Sequence, residues 1–261
     1  MGAELIETSA LASEILSDLD EALGKMHESD RPACNPRGEL VAHAPSSNIG
    51  QAAISQPLCT AIQIILVQVL RAAGKKFSSV VGHCSGEIAA AFAAGYLSSK
   101  DAIRIAYYRG FHAHLAAGPN GVNGAMLAVG TTLEDAQNLC SDEEFSGRIR
   151  VARLQLSGQC HTLWGRGRRH VHPNRKPEDM AFINPSYWVE NMRSPVLFRQ
   201  ALENAIASGP FDAAIEVGPH PALKGLARDI MEALQIQIPY KGTLQRKCNP
   251  VHSMSDTLGY V

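Results

Sequence analysis

Cys84 stands at the centre of Gly82-His83-Cys84-Ser85-Gly86, with a glycine two places away on each side. Gly-x-nucleophile-x-Gly is the spacing of a sharp strand-to-helix turn that holds its middle side chain in the open. A thiol at such an apex is a candidate covalent nucleophile, because the N-terminus of the following helix favours the thiolate. The same place favours negative charge developing on a carbonyl oxygen. The backbone N–H of Ser85, the residue after the nucleophile, is the expected oxyanion donor. The two glycines are expected to relieve crowding on both flanks of the turn. Ser85 as nucleophile would be one place late for the glycine spacing. The plain alternative is a tight turn around an inert, buried thiol, and these five residues alone do not separate the two.

Other side chains could join that chemistry. Arg109 can take a carboxylate with two parallel hydrogen bonds; the alternative is a solvated arginine near a helix end before Gly110. His83 flanks the thiol and reads as a packed structural histidine. His220 follows a Gly-Pro pair at a strand end, where it could support the site or simply occupy a turn. In chain order, Cys84, Asp212 and His220 give the nucleophile, acid and base of a hydrolase. Cys160, His161, His170 and His172 fit no standard zinc spacing, so no metal is expected. The basic stretch 148–176 offers only Trp164 for stacking, so nucleic acid is not expected either.

The elements that must carry these residues can be read from pattern. Phe77 to Val81 is β-prone, and Ile88 to Ala94 is Ala-rich and helix-prone, with Gly95 as its stop. Ala3 to Leu23 repeats apolar residues at helical spacing, with a break near Ser9. Pro32, Pro36 and Pro45 predict a surface excursion over 27–47. Ile54 to Ala73 is the most apolar helix, stopped by Gly74. Ser98 or Ser99 caps a helix over Lys100–Leu115. Further on come a strand at Ala125–Val129, a helix from Thr132, a helix over Val196–Ala207 and a strand over Ala213–Val217. A helix over Pro221–Leu234 and a last strand within Ile236–Leu244 follow. This alternation predicts an α/β core with a mainly parallel sheet.

Composition sets outer bounds. The chain has 261 residues and a net charge of −1, so nothing global draws it to nucleic acid or a membrane surface. Six cysteines without a CxxC pair predict free thiols in a reducing compartment, hence a cytoplasmic protein. The apolar run Leu58–Leu70 is too short, and too interrupted by Gln63 and Gln68, to be expected to span a bilayer.

Longer strings carry a resemblance. Gly82 to Glu87 with the following Ile88-Ala89-Ala90-Ala91-Phe92 closely resembles the Gly-His-Ser-x-Gly-Glu site of malonyl-CoA:acyl-carrier-protein acyltransferases, above all the acyltransferase domains of fungal highly reducing polyketide synthases. Ala53 to Pro57, Ala106 to Gly110, Gly124 to Gly130, Ser186 to Met192 and Glu216 to Leu223 resemble further signatures of that family, in order. The resemblance implies an α/β-hydrolase-like core and one domain over 1–261. It implies Cys84 as nucleophile, Ser85 as oxyanion donor and Arg109 as clamp for the malonyl carboxylate, with His83 and His220 in support. It also implies malonyl-CoA as substrate, an acyl carrier protein with its phosphopantetheine as acceptor, other synthase domains as neighbours, and no bound cofactor.

Three departures stand beside it. The nucleophile is cysteine where the family has serine. A Gly-Gln-Gly-x-Gln loop with its strand is not seen ahead of Leu5. The family's catalytic histidine stretch and most of its small ferredoxin-like subdomain are replaced by a short linker over 151–185, between core segments 1–150 and 186–261. One codon choice for Arg153–Arg166, read a base later, spells Ala-Tyr-Asn-Ser-Ala-Ala-Ser-Val-Thr-Leu-Ser-Gly-Asp-Ala, which resembles the start of that subdomain. Three functions stay open at this point: a malonyl transferase of impaired activity, a non-catalytic truncated remnant or interaction module, and an α/β-hydrolase-type thioesterase.

Overall fold

The computed structural model describes residues 2–33, 35–41, 47–116, 133–149, 165–166, 183–194 and 196–261. The expected strand at Ala125–Val129 and nearly all of the 151–185 linker lie outside these residues.

The core is built around one helix. The apolar run after Gln51 forms α4, Ala52–Ala72, and Ile64, Ile65, Leu66 and Leu70 on it are buried completely or nearly so. By length and composition alone such a helix could cross a membrane. Here it is covered by protein on several sides, which is where a helix apolar around most of its circumference belongs. Gly74, at φ 77°, ends it, as a left-handed residue ends many helices.

The predicted break at Ser9 is real. α1 runs Ala3–Thr8 and α2 runs Ala10–Gly24, with Ser9 extended and its side chain accepting from the Ala12 N–H. Leu16, Leu19 and Leu23 of α2 pack into the same core as α4. The Pro-rich excursion contains a short helix, α3, Pro36–Val41, where only irregular chain was expected. Proline at the start of a helix loses nothing, because that N–H has no partner in the helix anyway.

β1, Ser79–Val80, leads into α5, Gly86–Ala93, and Ser98 caps α6, Ser99–Phe111. Helix α6 crosses α4 closely because Gly110 has no side chain: a Cβ there would sit 2.2 Å from the Ala52 carbonyl oxygen. Arg71 of α4 closes the far end of α5, its Nη2 donating to the Ala93 carbonyl at 2.9 Å. A cation at a helix C-terminus complements the dipole.

The rest follows as α7 (Leu133–Ser141), β2 (Gly165–Arg166), α8 (Pro185–Arg193), α9 (Phe198–Ala207), β3 (Ala214–Glu216), α10 (Lys224–Ala233), β4 (Tyr240–Gly242) and α11 (Pro250–Tyr260). Helices α8 and α11 are not predicted from periodicity. Both open on Asn-Pro, with Asn184 and Asn249 accepting from backbone N–H groups of the first turn.

The chain is α/β. Its described strands form two separate pairs: β3 with β4 in parallel, Ala214 opposite Tyr240, and β1 with β2 antiparallel, Ser79 opposite Arg166. The antiparallel pair departs from the expected parallel pattern because its second strand comes from within 151–185. Residues from both ends of the chain, such as Leu5, Leu244 and Met254, share one core with α4.

Candidate active site

Cys84 is the apex of the turn from β1 into α5. Its φ is 55°, a left-handed conformation that a non-glycine residue rarely takes and that carries local strain. The thiol is half-buried, so it is not sealed in the interior.

Gly82 makes the turn possible, since a Cβ there would lie 2.4 Å from the Glu87 Cα and 2.5 Å from its nitrogen. Gly86 differs from the expectation. A Cβ at Gly86 would meet only Gln63 Nε2, at 3.9 Å, which is ordinary contact. Only the upstream flank of the elbow is crowded, because there the chain folds back over the first turn of α5.

The backbone beyond Cys84 closes in short turns. Gly86 N–H donates to His83 O, Glu87 N–H to Cys84 O and Ile88 N–H to Ser85 O. Among the described residues these bonds leave the Ser85 N–H without an acceptor, beside the sulfur and at the start of α5. That is the arrangement an oxyanion donor needs.

Helix α6 brings Arg109 to the same point. Its Nη2 lies 3.3 Å from Cys84 Sγ, and its Nε is buried without a partner among the described residues. The guanidinium therefore has unspent donor capacity directly beside the nucleophile. The sequence pairing of Cys84 with Arg109 is a spatial one.

His83 turns away along its own path: its ring packs edge-on against Phe198, with centroids 5.5 Å apart. His220 lies after β3, and its Nδ1 accepts the Arg246 N–H at 3.4 Å. In a hydrolase triad that nitrogen would carry the proton donated to the acid. Asp212 is exposed, and no hydrogen bond joins it to His220 among the described residues. The described residues contain no cluster of metal-ligating side chains, and His161, His170 and His172 lie outside them.

Two residues of the site carry no role in the sequence reading. Glu87 is 7% exposed under the elbow, and Tyr187 of α8 donates to its Oε2 at 2.5 Å. Burial raises the Glu87 carboxyl above its usual range, against the pull of Tyr187, Asn191 and Arg109 toward the charged form. A carboxylate immediately ahead of the apolar run Ile88–Ala93 was the available signal. Gln63, in the apolar run of α4, reaches across to the Val217 carbonyl at 3.2 Å.

The comparisons with known proteins agree with this geometry. The profile of the family described as "Acyl transferase domain" matches residues 1–152. The trichosetin synthetase PKS-NRPS1 of Gibberella fujikuroi is 42% identical over an alignment of 318 positions that takes in 100% of this chain and 8% of the relative. The highly reducing polyketide synthase sthA of Phaeosphaeria nodorum is 42% identical over 331 positions, 100% of this chain and 11% of the relative. The chain thus spans about a tenth of the length of these relatives. Among solved structures, MCAT from Streptococcus pneumoniae superposes with a TM-score of 0.72 at 17% identity, covering 100% of this chain and 95% of that one. The loading acyltransferase of the avermectin modular polyketide synthase gives 0.68 at 20%, covering 99% and 94%; both show the fold. A strained thiol apex with an open N–H and an arginine beside it, on this fold and with these relatives, establishes that the chain belongs to the acyl transferase domain family.

Proposed function

We propose that this chain is the acyltransferase unit of a polyketide synthase, moving a malonyl-type group from coenzyme A to the phosphopantetheine thiol of an acyl carrier protein. The observation that carries this reading is the 3.3 Å approach of Arg109 Nη2 to Cys84 Sγ. A malonyl thioester has its carbonyl carbon one methylene from its carboxylate, so nucleophile and clamp must be neighbours. Without such a partner the carboxylate would be costly to desolvate.

The step is a thioester exchange. Cys84 Sγ attacks the thioester carbonyl, charge collects on the oxygen facing the Ser85 N–H, and the C–S bond to coenzyme A breaks. The proton lost from Cys84 leaves with the coenzyme A thiol. The carrier's thiol then attacks the Cys84 thioester and returns the proton to Cys84.

The partners are an acyl-CoA, a carrier protein and other synthase domains; the much greater length of the relatives supports the last of these. No role is assigned to nucleic acid or a membrane. The free thiols of Cys59, Cys84, Cys140 and Cys248 support a reducing, cytoplasmic setting. We read 1–261 as one domain in which 151–185 replaces most of a small subdomain. Alignments of 318 and 331 positions against 261 residues support that reading. The coding sequence tests the frame shift: codons over Arg153–Arg166 that cannot spell the shifted peptide end the idea.

Incubation with malonyl-CoA followed by intact-mass measurement tests the function. The expected result is a malonyl adduct that is absent in Cys84→Ala and discharged by carrier protein bearing phosphopantetheine. Discharge to water alone favours the thioesterase, and no adduct at any pH favours the remnant.

A further inference from the structure

Two charged side chains meet at the apex residue from different elements. Glu87 comes from the first turn of α5: its N–H donates to the Cys84 carbonyl at 3.2 Å, and the residue is 7% exposed. Tyr187 of α8 donates to its Oε2 at 2.5 Å, and Asn191, one turn further along α8, also bonds the carboxyl. Arg109 comes from α6, with Nη2 3.3 Å from Cys84 Sγ, and its charge acts on Glu87.

An acyl group on Cys84 enters the space of this pair. On the acyl-transfer reading above, on which this inference rests, Arg109 holds the malonyl carboxylate. A second carboxyl group then stands against a guanidinium whose charge Glu87 already feels. Two carboxylates sharing a site do not both ionise freely, and one is driven toward its neutral form. Glu87 is the one that yields. The malonyl carboxylate gains direct hydrogen bonds from Arg109, whereas Glu87 is already disfavoured as an anion by burial and keeps an acceptor for Tyr187 when protonated.

We propose that Glu87 sets the charge preference of the acyl site: it shares the Arg109 guanidinium with the malonyl carboxylate, and malonyl loading of Cys84 takes up one proton at Glu87. The proton comes from solvent. Acetyl has no carboxylate and draws none. Glu87 touches no reacting atom, so it is a positioning residue that acts through Arg109.

The surrounding groups narrow the source of any titration. Arg109 faces Glu87 from α6 and Tyr187 from α8. Glu190 and Arg193 of α8 are exposed and pair with each other. On α6, Asp101, Arg104 and Tyr108 are engaged with Ser98, the Ala22 carbonyl and Asp30. Helix α4 presents Cys59, whose thiol is pushed up by desolvation, and Arg71, which closes the far end of α5. On the elbow itself stand Cys84 and His83, the latter packed on Phe198.

The test is a competition at equilibrium. The protein is incubated with malonyl-CoA and acetyl-CoA together, and the ratio of malonyl to acetyl adduct on Cys84 is read by intact mass from about pH 5.5 to 9, where the malonyl carboxylate stays ionised. Both thioesters exchange the same thiol for the same coenzyme A, so those two ionisations cancel in the ratio. The ratio is expected to fall about tenfold as pH rises through the Glu87 titration. Glu87→Gln is expected to hold it at its upper level at every pH. Tyr187→Phe removes a bond that favours the charged carboxyl and is expected to move the fall to higher pH. A merely structural Glu87 would lower both adducts together and leave their ratio flat.

A flat ratio in the unmodified protein overturns the proposal. So does a fall that persists in Glu87→Gln, which assigns the titration to His83, or a Tyr187→Phe profile that does not move. If Glu87→Gln does not fold, the unmodified profile and its displacement in Tyr187→Phe carry the decision. Both adducts with a flat ratio overturn this inference alone, whereas no adduct from either thioester overturns the acyl-transfer reading and this inference with it.

Discussion

At the scale of single residues, the site is a sulfur, a guanidinium and an N–H held at one point. A charged hydrogen bond contributes about 1.5–3 kcal/mol, so Arg109→Ala should cut Cys84 loading from malonyl-CoA about 10- to 100-fold. Loading from acetyl-CoA, which has no carboxylate, should barely change; equal losses on both would remove Arg109 from the clamp role. Glu87 makes a second prediction. Its folded-state pKa is raised, so its contribution to stability is complete below the ordinary glutamate range and is lost as pH rises through the raised value. Glu87→Gln keeps an acceptor for Tyr187 but cannot ionise. Urea denaturation across about pH 4 to 8 should show the unmodified protein losing stability relative to the variant as pH rises. Parallel slopes would mean that Glu87 does not titrate against the fold.

At the scale of elements, two close approaches place the chemistry. Gly82 lets the chain fold back onto the first turn of α5, and Gly110 lets α6 lie against the start of α4 with Arg109 at the elbow. Gly82→Ala forces a Cβ into backbone that has nowhere to go, a strain of about 1–3 kcal/mol or more. That corresponds to a fall of several degrees in Tm, about 2–4 °C per kcal/mol for a chain of this size class. Gly86→Ala makes only ordinary contact with Gln63 Nε2, at 3.9 Å, and should leave Tm nearly unchanged. Equal effects at the two glycines would contradict the elbow geometry. The pattern Gly-x-Cys-x-Gly is symmetric, but the crowding is not, because only Gly82 lies against the backbone of the first turn of α5.

At the scale of the whole molecule, α4 is the centre of the larger core. Leu66 on it is fully buried. Leu66→Ala should therefore cost about 2–5 kcal/mol, measured as a lower urea midpoint with an unchanged slope. A change in slope instead would indicate that the β3–β4 pair and the cluster packed on it unfold apart from the helical core. The smaller cluster of Ile206, Ala227 and Met231 beneath β3 and β4 is the part that would separate first. Just after β3, Val217 meets the main core through the Gln63 hydrogen bond to its carbonyl and through its own packing.

The sequence by itself determined the nature and order of the parts. Local pattern carried the break at Ser9, the apolar length of α4, the capped start of α6 and the strand–elbow–helix around Cys84, because each depends on near neighbours in the chain. It also supplied the family, since ordered motifs are legible without coordinates. Helices α8 and α11 escaped because their signal is an Asn-Pro cap rather than a strong apolar repeat. Only the tertiary structure decided that Arg109 meets Cys84, that His83 packs on Phe198 and that Glu87 answers to Tyr187 a hundred residues away. Those contacts join residues far apart in the chain; the approach of α6 to α4 and the fold-back at the elbow rest on what a missing Cβ allows at Gly110 and Gly82, which no period or spacing records.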